Sequence, residues 1–287
     1  MKLFILTFMN GLTLGALYFL VASGFSLVFG LMRNINLAHG SLFLLGGYIG
    51  FDVAEKSGSW LLGAGAGFLS MAILGALLQV VIFRKMQGQD LRQTLISIGI
   101  SIVLADLMLA HWGGEAYQFN IPDALYGASS LPFVGLKYPT FRLFVLALSI
   151  GVGILLTLFL NRTRVGMMIR AGVDDQGMLQ ATGINVQTIF ILTFAIGAGL
   201  AGMAGVVGGT ALSLGPGEDL RYLLASLMVV IVGGMGSVAG SAIGALIIGL
   251  ADQFGLAYSP TYGVVYTFLI MVIVLAFRPQ GIMGGRR

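Results

Sequence analysis

The side chains able to do chemistry are few, and their spacing limits what they can do. The lysines are Lys2, Lys56, Lys85 and Lys137. None closes a G-x-x-x-x-G-K-[ST] loop, in which backbone N–H groups cradle phosphates and a lysine reaches the terminal ones, so the chain cannot hydrolyse ATP alone. The histidines, His39 and His111, stand too far apart for the short spacings of a metal site. Cysteine is absent, which removes thiolate nucleophiles, thiolate–metal ligation and disulfides together. The run Gly233-Gly234-Met235-Gly236-Ser237 has no strand–helix alternation around it, so a nucleotide-binding turn is a poor reading.

What remains are polar groups embedded in apolar sequence. Asp106 and Asp252 fall within apolar stretches at 94–112 and 239–257. An ionised carboxylate in hydrocarbon costs about 2.5–3.5 kcal/mol or more, so each must face protein or water. Each therefore lines a pathway or bonds to a neighbouring helix. The run Asn34-Ile35-Asn36-Leu37-Ala38-His39-Gly40-Ser41 places polar groups at the start of a helix. Its free backbone N–H groups and side chains either meet a substrate or cap the helix. Asn36, His39, Ser41 and Asp106 are the candidate pathway residues.

The elements that position these groups are membrane helices. Hydrophobic residues make up 57% of the chain and charged residues 9%, more apolar surface than a soluble core of this length can hide. No charge occurs from Leu3 to Met32, and about 20 such residues suffice to cross a bilayer. That stretch is too long for a cleaved leader and reads as retained. Apolar segments fall at about 5–31, 38–52, 60–83, 94–112, 140–160, 187–213, 223–236, 239–257 and 262–277. The expectation is an all-α polytopic membrane protein with eight or nine transmembrane segments, some of them short or broken.

If Arg84, Lys85, Arg92, Arg162, Arg164 and Arg170 lie in the cytoplasm, alternation also places Arg33, Arg278, Arg286 and Arg287 there, with the N-terminus periplasmic and the C-terminus cytoplasmic. Ten of the fifteen basic residues then face inward, as cytoplasmic loops require. The net charge of +4 is accounted for by this bias, without a nucleic-acid partner. Segments 38–52 and 223–236 are short, and each follows a long helix through a joint, Arg33 to Asn36 in one case and Gly215-Pro216-Gly217 in the other. Matching interruptions suggest inverted halves, 1–160 and 187–287, within one permease domain, joined by a cytoplasmic region at 161–186. Glycines four apart, such as Gly11 and Gly15 or Gly46 and Gly50, suit close helix packing in lipid.

The longest cytoplasmic joint, Asn161 to Gln187, mixes arginines and aspartates with Met167, Met168, Met178 and Leu179. It suits a short amphipathic helix on the membrane surface or in a partner's groove, against the alternative of a solvated loop.

Five stretches together make the chain resemble the permease subunits of branched-chain amino acid uptake ABC transporters, and in size the smaller of the two permeases. They are N-I-N-L-A-H-G-S-L-F-L-L-G-G-Y from Asn34, R-T-R-V-G-M-M-I-R-A-G-V-D-D from Arg162, A-T-G-I-N from Ala181, L-A-G-M-A-G from Leu200 and V-V-I-V-G-G-M-G-S-V-A-G from Val229. The resemblance covers nearly the whole length. It implies a second homologous permease, two cytoplasmic ATP-binding subunits and a periplasmic substrate-binding protein, in the bacterial inner membrane. It implies no cofactor in this chain, ATP and Mg belonging to the partner subunits, and no enzymatic activity of its own. The 162–187 joint becomes the element that couples to the ATPase, with Arg164, Arg170, Asp174, Asp175 and Gly183 as contacts. This chain has Gly172-Val173 and Gln176-Gly177-Met178 where many members carry an alanine-rich helix. Binding-protein docking falls on outer loops 113–139 and 214–222, with Lys137, Arg142, Glu218 and Arg221.

The implied substrate is a branched-chain or related hydrophobic amino acid; members of such families also carry urea, short amides, and aromatic or dicarboxylic acids. A pathway lined by Leu, Val, Phe, Met and Gly offers little fixed charge, which fits a zwitterion or small amide. The competing class is an ATP-independent secondary transporter or channel, which would place several ionisable residues in the membrane core. Only Asp106 and Asp252 qualify from the sequence. An intramembrane enzyme lacks a catalytic constellation here, and a structural subunit without transport accounts poorly for the broken helices.

Overall fold

Every apolar segment becomes a helix. The structure, a computed structural model, describes residues 2–32, 36–130 and 137–284. Arg33, Asn34 and Ile35 of the first joint, 131–136 of the outer loop, and Arg286 and Arg287 lie outside the described residues. The helices are α1 (Lys2–Met32), α2 (His39–Ser57), α3 (Trp60–Val81), α4 (Asp90–Trp112), α5 (Thr140–Arg162), α6 (Arg164–Asp174), α7 (Gln176–Ala181), α8 (Val186–Ala211), α9 (Glu218–Gly233), α10 (Val238–Tyr258) and α11 (Gly263–Phe277). Among the described residues six of these, α1, α3, α4, α5, α8 and α10, are long and apolar enough to cross a membrane. The remaining apolar helices, α2, α9 and α11, are the short ones. A small antiparallel hairpin, β1 (Ala128–Ser130) and β2 (Lys137–Pro139), sits in the loop before α5.

Two helices form the centre. Nearly all of α1 and most of α8 are buried by protein, whereas α3, α4 and α5 expose most of their apolar surface. Lipid offers no hydrophobic drive for helix association, so the seams are built where small residues let backbones touch. A Cβ on Gly15 would lie 2.8 Å from the Ala245 carbonyl oxygen of α10, and one on Gly197 would lie 2.8 Å from the Gly24 carbonyl oxygen of α1. One on Gly67 of α3 would lie 3.0 Å from the Gly202 carbonyl oxygen of α8. Thus α1 packs along α10, α8 packs along α3, and α1 and α8 touch each other.

The short helices differ from expectation in their limits. The helix α2 continues to Ser57, because Asp52 and Glu55 find partners at its outer end: Trp112 Nε1 donates to Asp52 at 3.2 Å and Asn120 to Glu55 at 3.3 Å. The helix α9 starts five residues before the apolar run, at Glu218. Acidic residues in a first turn face the positive end of the helix dipole, so Glu218 and Asp219 favour this start. The expected outer loop at 214–222 is corrected accordingly. Only its first part is non-helical: there Leu214 is fully buried and exchanges two backbone hydrogen bonds of 2.7 Å with Tyr117 of the loop after α4, while Pro216 and Gly217 are exposed.

Candidate functional site

The starts of α2 and α9 meet in the interior. His39 Nε2 lies 3.0 Å from the Val21 carbonyl oxygen of α1, a contact that requires the Nε2–H tautomer to donate, and its ring stands edge-on to Phe25 at 5.2 Å. Tyr222 of α9 faces Tyr18 of α1 at 6.4 Å and Phe43 of α2 at 4.1 Å. Tyr18 and Val21 occupy the middle of α1, so both short helices begin near mid-membrane and run to opposite sides. Gly40 packs directly on the Asp219 carbonyl, leaving no room for a side chain. Ser41 Oγ donates to Asp219 Oδ2 at 3.3 Å and shares a 2.8 Å hydrogen bond with Ser101 Oγ of α4. Each helix start carries unsatisfied backbone N–H groups and the positive end of its dipole, so the convergence favours negative or polar groups between them.

Polar atoms without partners collect here. Asn36 Oδ1 accepts the Ala38 N–H at 3.1 Å, which caps the turn into α2, while its Nδ2 is buried with no partner. The hydroxyl of Tyr222 is likewise buried and unpartnered. Tyr18 donates to Asp252 Oδ2 of α10 at 2.9 Å. Arg221 lies within electrostatic reach of Tyr18, Tyr222 and Asp252 and pairs with Glu218 at 3.4 Å.

The candidate pathway residues are therefore only partly assembled. Asn36 and Ser41 lie at the junction. His39 is on the same turn, but its ring is turned onto the α1 backbone, and 1% of its surface is accessible. Asp106 is not part of this cluster: it is exposed on α4, a helix whose main contacts among the described residues are with α2 and the turn before it. Asp252 is reached by the Tyr18 hydroxyl, while its neighbours Gly249 and Leu250 pack on Gly11, toward the start of α1. Sequence reasoning missed Ser101, Asp219, Tyr18 and Tyr222 as members. Asp219 carried the one available signal, an acid just after a glycine–proline break.

The four candidate docking residues separate into two levels. Arg142 and Tyr138 both donate to Asn10 Oδ1, at 2.7 and 3.0 Å, and Lys137 opens β2 beside them. Glu218 and Arg221 sit at the level of Tyr18, eight residues further along α1, which is about 12 Å at ~1.5 Å per residue. Arg221 is exposed there, at the edge of the junction.

The 161–187 joint is a pair of helices. Thr163 Oγ1 caps α6 by accepting the Gly166 N–H at 3.0 Å, and Asp175 Oδ1 caps α7 by accepting the Met178 N–H at 3.0 Å. The Asp175 cap ends one helix and starts the next, so the single amphipathic helix expected here is split. Ile169, Gly172 and Leu179 turn inward against Leu31, and Gln176 Nε2 donates to the Leu31 carbonyl at 2.7 Å. Arg164, Arg170, Asp174, Asp175 and Gly183 are exposed on the other side, and Arg170 bonds Asn161. Gly183 has φ +83°, in the left-handed region that suits glycine at a helix end.

The family described as "Branched-chain amino acid transport system / permease component" matches residues 7–275. The high-affinity branched-chain amino acid transport system permease protein BraD of Pseudomonas aeruginosa is 33% identical, over 96% of this chain and 94% of that one. The corresponding protein LivH of Escherichia coli K12 is 30% identical over the same shares. Among solved structures, PsaBC from Streptococcus pneumoniae in complex with Fab superposes with a TM-score of 0.51 at 13% identity, over 94% of this chain and 91% of that one, a likeness of fold alone.

Proposed function

The chain belongs to the family of permease components of branched-chain amino acid transport systems, and on that premise we propose how it carries its share of ATP-driven uptake. It is a multi-pass membrane permease of an ABC transporter. It spans the bacterial inner membrane with its N-terminus in the periplasm and its C-terminus in the cytoplasm, and lines half of a pathway completed by a second, homologous permease. Two cytoplasmic ATP-binding subunits hold the α6–α7 pair through Arg164, Arg170, Asp174, Asp175 and Gly183. A periplasmic binding protein delivers substrate to the rim marked by Lys137 and Arg142.

The observation that carries the reading is the meeting of the α2 and α9 starts beside the middle of α1. Helices interrupted near mid-membrane, with their positive ends converging, belong to proteins that hold a solute there and expose it to each side in turn. The long helix before each break, and the exchange of partners by which α1 packs on α10 as α8 packs on α3, support inverted halves. Movement of the ATP-binding subunits reaches α1 through the contacts of Gln176, Gly172 and Leu179 with Leu31. The binding protein biases the outward state only by binding it better.

The test is to purify the complex encoded with this chain into lipid discs and measure ATPase activity with binding protein loaded with leucine, urea, short amides or aromatic acids. Stimulation by the leucine-loaded form is the expected result. A chain that moves solute down a gradient with no ATP-binding subunit attached would instead be a channel or secondary carrier.

A further inference from the structure

Charge is scarce in this chain's membrane region, yet it concentrates at the start of α9. Glu218, Asp219 and Arg221 occupy the first turn of that helix, and Asp252 is brought in by Tyr18. Asp219 packs on Gly40 and Tyr222 faces Tyr18, so the first turn of α9 stands near the middle of α1, where a charge facing lipid is costly, and this face must meet protein or water. It is open on the single chain: the Arg221 side chain is 50% exposed, and Leu220 and Leu224 lie exposed beside it. A second permease subunit placed against this face would enclose it.

The charges do not balance. Among the described residues Arg221–Glu218 is the one salt bridge, at 3.4 Å, and it is partly exposed. Such pairs hold their partners weakly, so the guanidinium is free to exchange one carboxylate for another. Asp219 and Asp252 are bonded only by hydroxyls, from Ser41 and Tyr18, and neither forms a salt bridge, with Arg221 within electrostatic reach of Asp252. The Tyr222 hydroxyl, in the same electrostatic neighbourhood as Arg221 and Glu218, is buried and without a partner. The site thus offers one exchangeable guanidinium beside carboxylates that form no ion pair, with an unpartnered hydroxyl buried just behind it.

We propose that the start of α9 is a mid-membrane station for the α-amino and α-carboxylate groups of the transported amino acid. Arg221, the α9 N-terminus and the Tyr222 hydroxyl receive the carboxylate, and Asp219 receives the ammonium. The side chain of the substrate lies against Leu220, Leu224 and the facing subunit. The proposal rests on the transport reading above and deepens it, reassigning Arg221 from the outer rim to the pathway. A bidentate guanidinium and a separate carboxylate select the zwitterion over molecules with only one of its charges.

The experiment uses the complete permease–ATPase complex in lipid discs. Uptake into proteoliposomes with leucine-loaded binding protein is measured first: no leucine uptake sinks the transport reading itself. Binding of tritiated leucine to the same complex, without binding protein, is then competed with leucinamide, which lacks the carboxylate, and 4-methylpentanoate, which lacks the ammonium. Unlabelled leucine should displace the label and both analogues should do so far less well. Arg221→Gln should weaken leucine binding roughly tenfold or more, as loss of a charge-assisted hydrogen bond does, and Arg221→Lys should restore most of it. Uptake without analogue-sensitive leucine binding, or unchanged affinity in Arg221→Gln, overturns the station while leaving the transport reading in place. Should Arg221→Gln fail to assemble, Tyr222→Phe decides, because its hydroxyl has no partner to lose in the fold: weakened leucine binding supports the station and unchanged binding overturns it.

Discussion

At the scale of residues, one glycine determines whether the junction can form. A Cβ on Gly40 would run into the Asp219 backbone carbonyl and stand 2.9 Å from Leu223 Cβ. The carbonyl belongs to the first turn of α9 and cannot yield without moving that helix. Gly40→Val should cost about 1–3 kcal/mol of overpacking, lowering the melting temperature of the purified permease by several degrees and abolishing uptake. Gly65→Val, on the α3 face where nothing lies within 4 Å, is the control and should leave both unchanged. Equal behaviour of the two variants would show that α2 and α9 do not need to touch. The sequence marks Asn36 and Ser41, because polar residues after a break in an apolar run have few other uses there. It does not mark Asp219 and Ser101, which lie 178 and 60 residues from Ser41, or the depth of Arg221, since charges beside Gly215-Pro216-Gly217 read as a loop outside the membrane.

At the scale of elements, the 161–187 joint is where sequence pattern and structure agree in kind and differ in form. Arginines, aspartates and methionines mark an amphipathic surface element, and the exposed charged side with Ile169 and Leu179 turned inward is such an element. The split into α6 and α7 follows from local chemistry, since an Asp175 side chain that caps the next turn competes with continuing the first helix. The consequence is two short levers, of which α7 is tied to α1. Gln176 satisfies the Leu31 carbonyl, one of the last carbonyls of α1 that have no partner within the helix. Gln176→Leu should therefore lower the amount of leucine taken up per ATP hydrolysed by at least about fivefold, the lower end of a typical coupling energy. Uptake and hydrolysis falling in proportion would mean that force reaches α1 by another route. The limits of α2 and α9 were less legible, because their outer or first turns are charged and hydropathy alone ends the helix too early.

At the scale of the whole molecule, the seams limit what can move. The proposed halves are not side by side. The first-half helices α1 and α3 are pressed onto the second-half helices α10 and α8, with backbone against backbone at Gly15 and Ala245, Gly24 and Gly197, and Gly67 and Gly202. Surfaces in such contact repack in discrete steps and do not slide continuously. The chain should therefore rock as one body against its partner permease, with the Gly215-Pro216-Gly217 break before α9 as a flexible point, and not as two halves opening against each other. Because the chain has no cysteine, a single engineered pair can test this. A Cβ on Gly75 of α3 would lie 2.6 Å from Ala198 Cβ of α8, so Gly75→Cys with Ala198→Cys reaches disulfide spacing with about 1 Å of give. The oxidised pair should retain uptake close to that of the reduced pair, with the crosslink verified by mass spectrometry. If oxidation stops uptake and reduction restores it, α3 and α8 must slide during transport, and the two halves of this chain are themselves the moving parts.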